Sequence, residues 1–329
     1  MHKFAITKMQ IAVLGPAGFG GSNVCVELLN RGHNLTGISR NPGKIGRHDR
    51  FRPYPLDLLT ASIAQLIEAF EGQDAVINAF NPPGGPYMYK DFLETSRRLV
   101  IAAKAAKVPY FIMIGGTGSL YLGEKEDPHA TCADSREFWL VYRRAVADSE
   151  AATYHMEERL GFDSPMASGM RAYRQARLAQ SAGKANETEL QTIKEVEDPI
   201  AYGPNPVPDL PLAARASFQM FDGNPSFRWS FVSPPGMYRP GPRTGKYEVH
   251  RDTAPLIDRP PNTSGKTTSS DSSASGGNRY EGRLGGITAA DLGVAIADEV
   301  EKQEKVGWHW SATAELVEDQ AVGSYVTFS

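Results

Sequence analysis

From Gln10 to Gly116 short apolar runs alternate with amphipathic stretches, the pattern expected of strands buried on both faces and crossed by helices. The run QIAVLG (10–15) reads as a first strand, followed by a helical period over Ser22–Arg31. NLTGISR (34–40) reads as a second strand and RFRPYPLDL (50–58) as a short third one ending at Asp57. A helix over Thr60–Phe70 leads to the strand DAVINAF (74–80), and a helix over Met88–Lys107 leads to VPYFIMIGG (108–116). Repeated strand-helix alternation with right-handed crossovers predicts an α/β fold, a doubly wound parallel sheet of Rossmann type. Such sheets bind ligands beyond the carboxyl ends of their strands.

Beyond residue 120 the period loosens. A polar loop, EKEDPHATCADSRE, precedes helical stretches from Glu137 to about Leu160 and from Met170 to Ala182, with GFDSP breaking the period between them. The Pro-rich passage EDPIAYGPNPVPDLP then feeds a helix near 211–221, and FRWSFVSPP reads as a sixth strand. The segment DRPPNTSGKTTSSDSSASGGN (258–278) has almost no apolar residue to offset its ordering entropy, and predicts a flexible surface insertion within 258–280. Thr288 is placed to cap a helix with Leu292, Val294, Ala295 and Ile296 on its apolar face, and GWHWSAT or GSYVTF supplies the last strand. The expected organisation is a single domain, 1–329. It comprises a dinucleotide-binding core at 9–119, a helical insertion or cap at 120–208, and an elaborated C-terminal region of substrate-side strands and helices at 209–329.

Composition narrows the partners. A hydrophobic content of 41% supplies a core, while a formal net charge of -3 gives no basic field for a nucleic-acid backbone. The expected partner is a small-molecule substrate, with no nucleic acid and no membrane; the oligomeric state stays open. Cys25 and Cys132 are the only cysteines and read as free thiols in a reducing compartment. With no signal-like apolar segment and no run of about 18 apolar residues, the expected location is cytoplasmic.

The stretch GPAGFGG places Gly15, Gly18 and Gly21 between the first strand and the first helix. Glycines there let the backbone approach a pyrophosphate and aim unpaired helix amides at it. In ISRNP, Arg40 ends the second strand where NAD sites usually carry a carboxylate, so it can pair a 2′-phosphate and predicts NADP(H) as cofactor. Asp57 is placed for the adenine, and Ala79, Phe80 and Asn81 for the ribose and diphosphate.

The segments GPAGFGG, ISRNP, DAVINAF and IMIGGTGSL, with FRWSFVSPPGMYRPGPRTGKYEV and GGITAADLGVAIADEVE, resemble the atypical short-chain dehydrogenase/reductases of the NmrA-like and NADH-flavin-reductase-like group. The likeness covers 9–119 and about 209–311, the latter as a last substrate loop, hairpin and final helix. The resemblance implies cofactor contacts at Gly15, Gly18, Phe19, Gly21, Arg40, Asp57, Ala79, Phe80 and Asn81, with Ala17, Asn41 and Leu58 in the same turns. It further implies that Gly115, Gly116, Thr117, Ser233 and Pro234 approach the nicotinamide.

Hydride chemistry of this class commonly uses a serine with a Tyr-x-x-x-Lys pair, in which the lysine lowers the phenol pKa. Ser119, Tyr121 and Lys125 are the candidates, although Gly123 argues against the helix that would align the pair; Tyr142 is a further candidate whose i+4 neighbour is Val146. Glu124, Glu126, Asp127, His129, Asp134 and Arg136 are other titratable groups, read by default as a solvated loop and otherwise as an acid/base lid. His129 and His155 have no second ligand at metal spacing, so no metal is expected, and no G-x-S-x-G elbow or Cys-His pair points to hydrolysis.

The expected function is NADPH-dependent reduction of a C=O, C=N or C=C bond in a small substrate of specialised secondary metabolism. Two alternatives keep the scaffold: a non-redox or bifunctional cyclase of Pictet-Spengler type, and an NADP-sensing regulator like the NmrA group.

Overall fold

The computed structural model describes residues 8–258 and 278–328. In chain order the elements are β1 (Gln10–Leu14), α1 (Phe19–Asn30), β2 (Asn34–Ser39), β3 (Phe51–Pro55), α2 (Ile63–Phe70), β4 (Ala75–Asn78), α3 (Met88–Ala105) and β5 (Phe111–Ile114). The helices α4 (Arg136–Asp148), α5 (Glu150–Leu160), α6 (Pro165–Ser181), α7 (Glu187–Tyr202) and α8 (Asp209–Phe218) follow. The chain then forms β6 (Trp229–Val232), β7 (Met237–Arg239), β8 (Glu248–Arg251), β9 (Gly286–Thr288), α9 (Ala289–Lys302) and β10 (Trp308–Thr313).

Eight strands make one sheet in the order β3-β2-β1-β4-β5-β6-β10-β8, parallel except that β8 runs antiparallel to β10. Strand direction of travel reverses between β1 and β4, the switch point at which such sheets open a ligand crevice. Residues Ile11 to Leu14 are fully buried because both faces are covered. Ala12, Leu14 and Val76 pack with Leu66, Leu99 and Phe218 on the α2, α3 and α8 side, whereas Ile11, Val13 and Ile77 pack with Leu28 and Ile296 on the α1 and α9 side. The doubly wound sheet expected from the sequence is therefore the fold. No helix among the described residues is long and apolar enough to cross a membrane.

Several boundaries moved for identifiable reasons. The stretch Glu137–Leu160 is two helices, because the Ser149 hydroxyl accepts from the Ala152 amide and starts α5 afresh. Helix α6 begins at Pro165 rather than Met170, since Ser164 caps it and proline suits the first helical position. The Pro-rich reading of 197–211 missed α7, which carries an Asn186–Glu189 capping box and continues through Pro199 to Tyr202. In the C-terminal region β7 pairs in parallel with β9 instead of forming a hairpin. GWHWSAT supplies β10, while GSYVTF runs outside any ladder, with the Phe328 amide bonded to the Ile45 carbonyl at 2.7 Å. Most of the proposed 258–280 insertion lies outside the described residues. At its far edge Tyr280 is buried and its hydroxyl donates to Glu124 at 2.8 Å.

Helices α4, α6 and α7 are tied together by an ionic network. Glu197 of α7 receives Arg144 of α4 at 2.5 Å, Arg177 of α6 at 3.2 Å and the Tyr173 hydroxyl at 2.8 Å, while Arg177 also grips Asp148 at 2.7 Å. These guanidiniums hold the Glu197 carboxyl below its usual range against the opposing effect of burial. Removing one partner of such a buried network leaves charge uncompensated. Glu197→Ala is expected to lower the unfolding free energy by about 3 kcal/mol in urea denaturation, and a loss below about 1 kcal/mol would show that the layer does not depend on it.

Candidate functional site

The turn between β1 and α1 is built by close approach. Gly15 adopts φ +73°, its amide bonds the Ile38 carbonyl at 2.9 Å, and the Gly18 amide returns to the Gly15 carbonyl at 3.0 Å. A Cβ on Gly15 would lie 3.1 Å from the Ala79 oxygen and from the Phe80 Cα, and a Cβ on Gly21 would lie 2.1 Å from the Gly15 oxygen. Glycine is thus required by the backbone itself, before any ligand is considered.

Helix α1 starts at this turn with Gly18 as its N-cap, no side-chain cap and no acidic residue in its first turn. By contrast α2, α4, α5, α6, α7 and α9 are each capped by a Ser, Asn or Thr side chain. The first amides of a helix have no intrahelical acceptor and sit at its positive end. An uncapped glycine N-terminus at the switch point therefore fits a pyrophosphate, which would accept from the Phe19, Gly20 and Gly21 amides.

After β2, Arg40 is exposed and has no side-chain partner among the described residues, as is also true of Lys44 and Arg47 nearby. Asn41 and Asn81 are exposed, and Ala79, Phe80 and Asp57 are half-buried at the strand ends. Asp57 uses one carboxylate oxygen to accept from the Leu59 amide at 3.0 Å. Leu58 does not offer its side chain, which is buried in the core, and its carbonyl is taken by Arg98 at 2.9 Å. Ala17 packs against the α1-side core. Buried Asn78, not singled out from the sequence, accepts from the Phe80 amide at 3.2 Å and so shapes the turn after β4.

The segments that follow β5 and β6 are tied to His309, near the start of β10. Ser119 is fully buried, and its hydroxyl meets Ser233 Oγ at 2.7 Å and His309 Nε2 at 3.1 Å; Ser233 also reaches His309 at 3.1 Å. Thr117 donates to the Pro234 carbonyl at 2.9 Å. At Gly115 a Cβ would come within 2.1 Å of the Phe231 ring, and at Gly116 within 3.1 Å of the Ala214 methyl, so both glycines serve packing.

This arrangement corrects the expected catalytic set. Ser119 is sealed from any substrate by its own network. Tyr121 and Lys125 do not share a helix: Tyr121 forms isolated bridges to Thr131 and Thr253, Gly123 has φ +69°, and Lys125 is exposed. Tyr142 packs edge-on against Trp139 with centroids 4.8 Å apart, and burial raises its phenol pKa with no lysine in contact. Much of the charged loop is likewise structural: Glu124 binds Tyr280, Asp134 accepts from the Thr131 amide at 2.8 Å, and Arg136 donates to the Gly203 carbonyl at 2.6 Å. Glu126, Asp127 and His129 are exposed.

The helical insertion reaches the glycine turn. His155 of α5 stacks on Phe19 with centroids 3.9 Å apart, and Tyr238 of β7 lies against the same ring at 4.8 Å. His155 Nδ1 and the Tyr238 hydroxyl are enclosed without a protein partner. Tyr238 was legible only as part of the loop after the sixth strand, and His155 only as a histidine without a metal-ligand partner.

Parts of the chain are similar to known proteins. Residues 15–161 match the family model described as NAD(P)H-binding. The chain is 32% identical over 118 residues to the uncharacterised protein YwnB of Bacillus subtilis, covering 35% of this chain and 51% of that protein. It is 28% identical over 145 residues to cinnamoyl-CoA reductase 1 of rice (Oryza sativa subsp. japonica), covering 40% and 42%. The chain thus spans about half or less of the length of these curated relatives. Among solved structures it resembles a protein provisionally described as an epimerase from Bacteroides thetaiotaomicron, at TM-score 0.59 and 21% identity over 95% of this chain and 100% of that one. A protein described in the same provisional way as an NADH-flavin reductase of Streptococcus pneumoniae aligns at TM-score 0.55 and 18% identity, covering 93% and 100%. At such identities the likeness is one of fold, an α/β sheet of Rossmann type. The cofactor class shown is a nicotinamide dinucleotide.

Burial holds His155 near a pKa of about 4, with Arg159 adding to the effect, and holds His309 near about 3, with Arg215 adding. Both are neutral in the fold and titrate near 6.5 when exposed, so below that pH the unfolded chain binds protons that the folded chain does not. Their contribution is fully present above pH ~6.5 and is lost as pH falls toward their folded values, with a slope approaching about 1.4 kcal/mol per pH unit for each. The urea midpoint should drop between about pH 7 and about pH 5, and less in His309→Gln; a midpoint that does not move over that interval contradicts the burial argument.

Proposed function

We propose that the protein is an NADPH-dependent reductase of a small apolar or aromatic substrate, acting on a C=O, C=N or C=C bond. One observation carries the reading: the uncapped glycine start of α1 opens at the sheet's switch point, and Arg40, at the end of the neighbouring strand β2, has no side-chain partner among the described residues. The Phe19, Gly20 and Gly21 amides would hold the pyrophosphate, and Arg40 the 2′-phosphate, as charge-assisted hydrogen bonds to an anion are the strong ones. The bound dinucleotide supplies hydride. The chain would supply orientation and an apolar surround, because α4 and α6 pack Trp139, Tyr142 and Met170 in the clusters that Met237 of β7 joins. A cytoplasmic setting accords with two free, buried cysteines whose thiol pKa values are pushed up by burial.

A second reading has its own support. With Ser119 sealed and Tyr121 separated from Lys125, the usual acid is missing, which favours a dinucleotide-binding cyclase or an NADP-sensing regulator on the same scaffold. Loss of NADPH absorbance with a panel of imines, enones, quinones and flavins separates the two. Turnover supports the reductase, and tight NADPH binding without turnover of any compound supports the second reading. In the binding experiment Arg40→Glu should weaken NADPH about 30-fold while changing NADH less than about threefold; equal affinity of the unaltered protein for both dinucleotides would remove the Arg40 argument.

A further inference from the structure

The Tyr238 hydroxyl occupies an unusual place. A Cβ built on Gly20, the second residue of α1, would lie 3.1 Å from this oxygen and 4.0 Å from Ile114 Cδ1. The phenol therefore stands between the first turn of α1 and the end of β5, the two elements a dinucleotide crosses when it lies over the strand ends. A buried hydroxyl normally finds a partner, yet this one has none among the described residues, and neither has His155 Nδ1 on the other aromatic neighbour of Phe19. A Cβ at position 20 would be in tight contact with the phenol oxygen, so Gly20 gives Tyr238 room against the first turn of α1.

We propose that Tyr238 is a ligand-binding residue that closes over the glycine turn in the free protein and becomes a hydrogen-bond donor to the nicotinamide half of the bound dinucleotide. The inference rests on the dinucleotide reading above. In the free state the hydroxyl carries the cost of desolvation without compensation, and the dinucleotide's ribose, phosphate or carboxamide oxygens supply the acceptor that the protein withholds. Burial raises the phenol pKa, which keeps the proton on the oxygen throughout the neutral range.

Splitting the ligand tests this. Titration calorimetry would compare NADPH with adenosine 2′,5′-bisphosphate, which has the adenosine and 2′-phosphate but no nicotinamide, on the full chain and on Tyr238→Phe. The expected result is about tenfold weaker NADPH binding in the variant, unchanged binding of the bisphosphate, and a melting temperature of the ligand-free variant that is equal or higher, because an unsatisfied group has been removed. A structural hydroxyl would instead lower the melting temperature. NADPH affinity unaffected by Tyr238→Phe, or both ligands weakened alike, overturns the proposal. If the unaltered protein binds neither ligand, it is the dinucleotide reading itself that fails.

Discussion

The site depends on how closely the β1–α1 turn lies against the end of β4. Gly15 leaves no room for a Cβ beside Ala79 and Phe80, and Gly21 leaves none beside the Gly15 carbonyl. That contact fixes the start of α1 over the point where the strand order reverses. A larger residue at either position would push the helix away and move its first amides off the crevice. The absence of a capping side chain follows from the same requirement, since the N-cap is a glycine, and it leaves the helix end for an external anion.

The remaining parts are tied to this turn. Helix α5 is capped by Ser149 and by Asp319, whose carboxylate takes the Ala151 amide at 3.0 Å and the Ser149 hydroxyl at 2.7 Å. The C-terminal segment continues from Asp319 to Val326, whose amide reaches Ser22 Oγ in α1 at 3.3 Å. Cap, C-terminal segment and glycine turn thus form one connected set, and the Phe19–His155 stack closes it from above. Below, the Ser119–Ser233–His309 network ties the segments after β5 and β6 to the start of β10, which explains why a serine in a position suggestive of chemistry is spent on structure.

The core of the fold was legible because its signals are local. Apolar runs bounded by glycine marked β1, β2, β4 and β5, and Thr288 announced α9. The glycine turn between β1 and α1 was legible for the same reason, since its glycine spacing lies within one βαβ unit. Helix α7 was obscured by Pro199, whose effect on a last turn is tolerated where the rest of the helix packs through Ile193 and Glu197. The burial of Ser119 is not legible because side-chain accessibility is a tertiary property: Ser119 meets His309 across 190 positions of sequence. Tyr238 and His155 converge on Phe19 from two distant segments, and no spacing rule joins them.

A crystal structure of the NADPH complex tests the central claim most directly. The account predicts the pyrophosphate on the Phe19, Gly20 and Gly21 amides, the 2′-phosphate within hydrogen-bond reach of Arg40, and the nicotinamide half beside Tyr238. A dinucleotide seated elsewhere would contradict it, for instance in the groove of about 470 Å³ between α1 and residues 318–326.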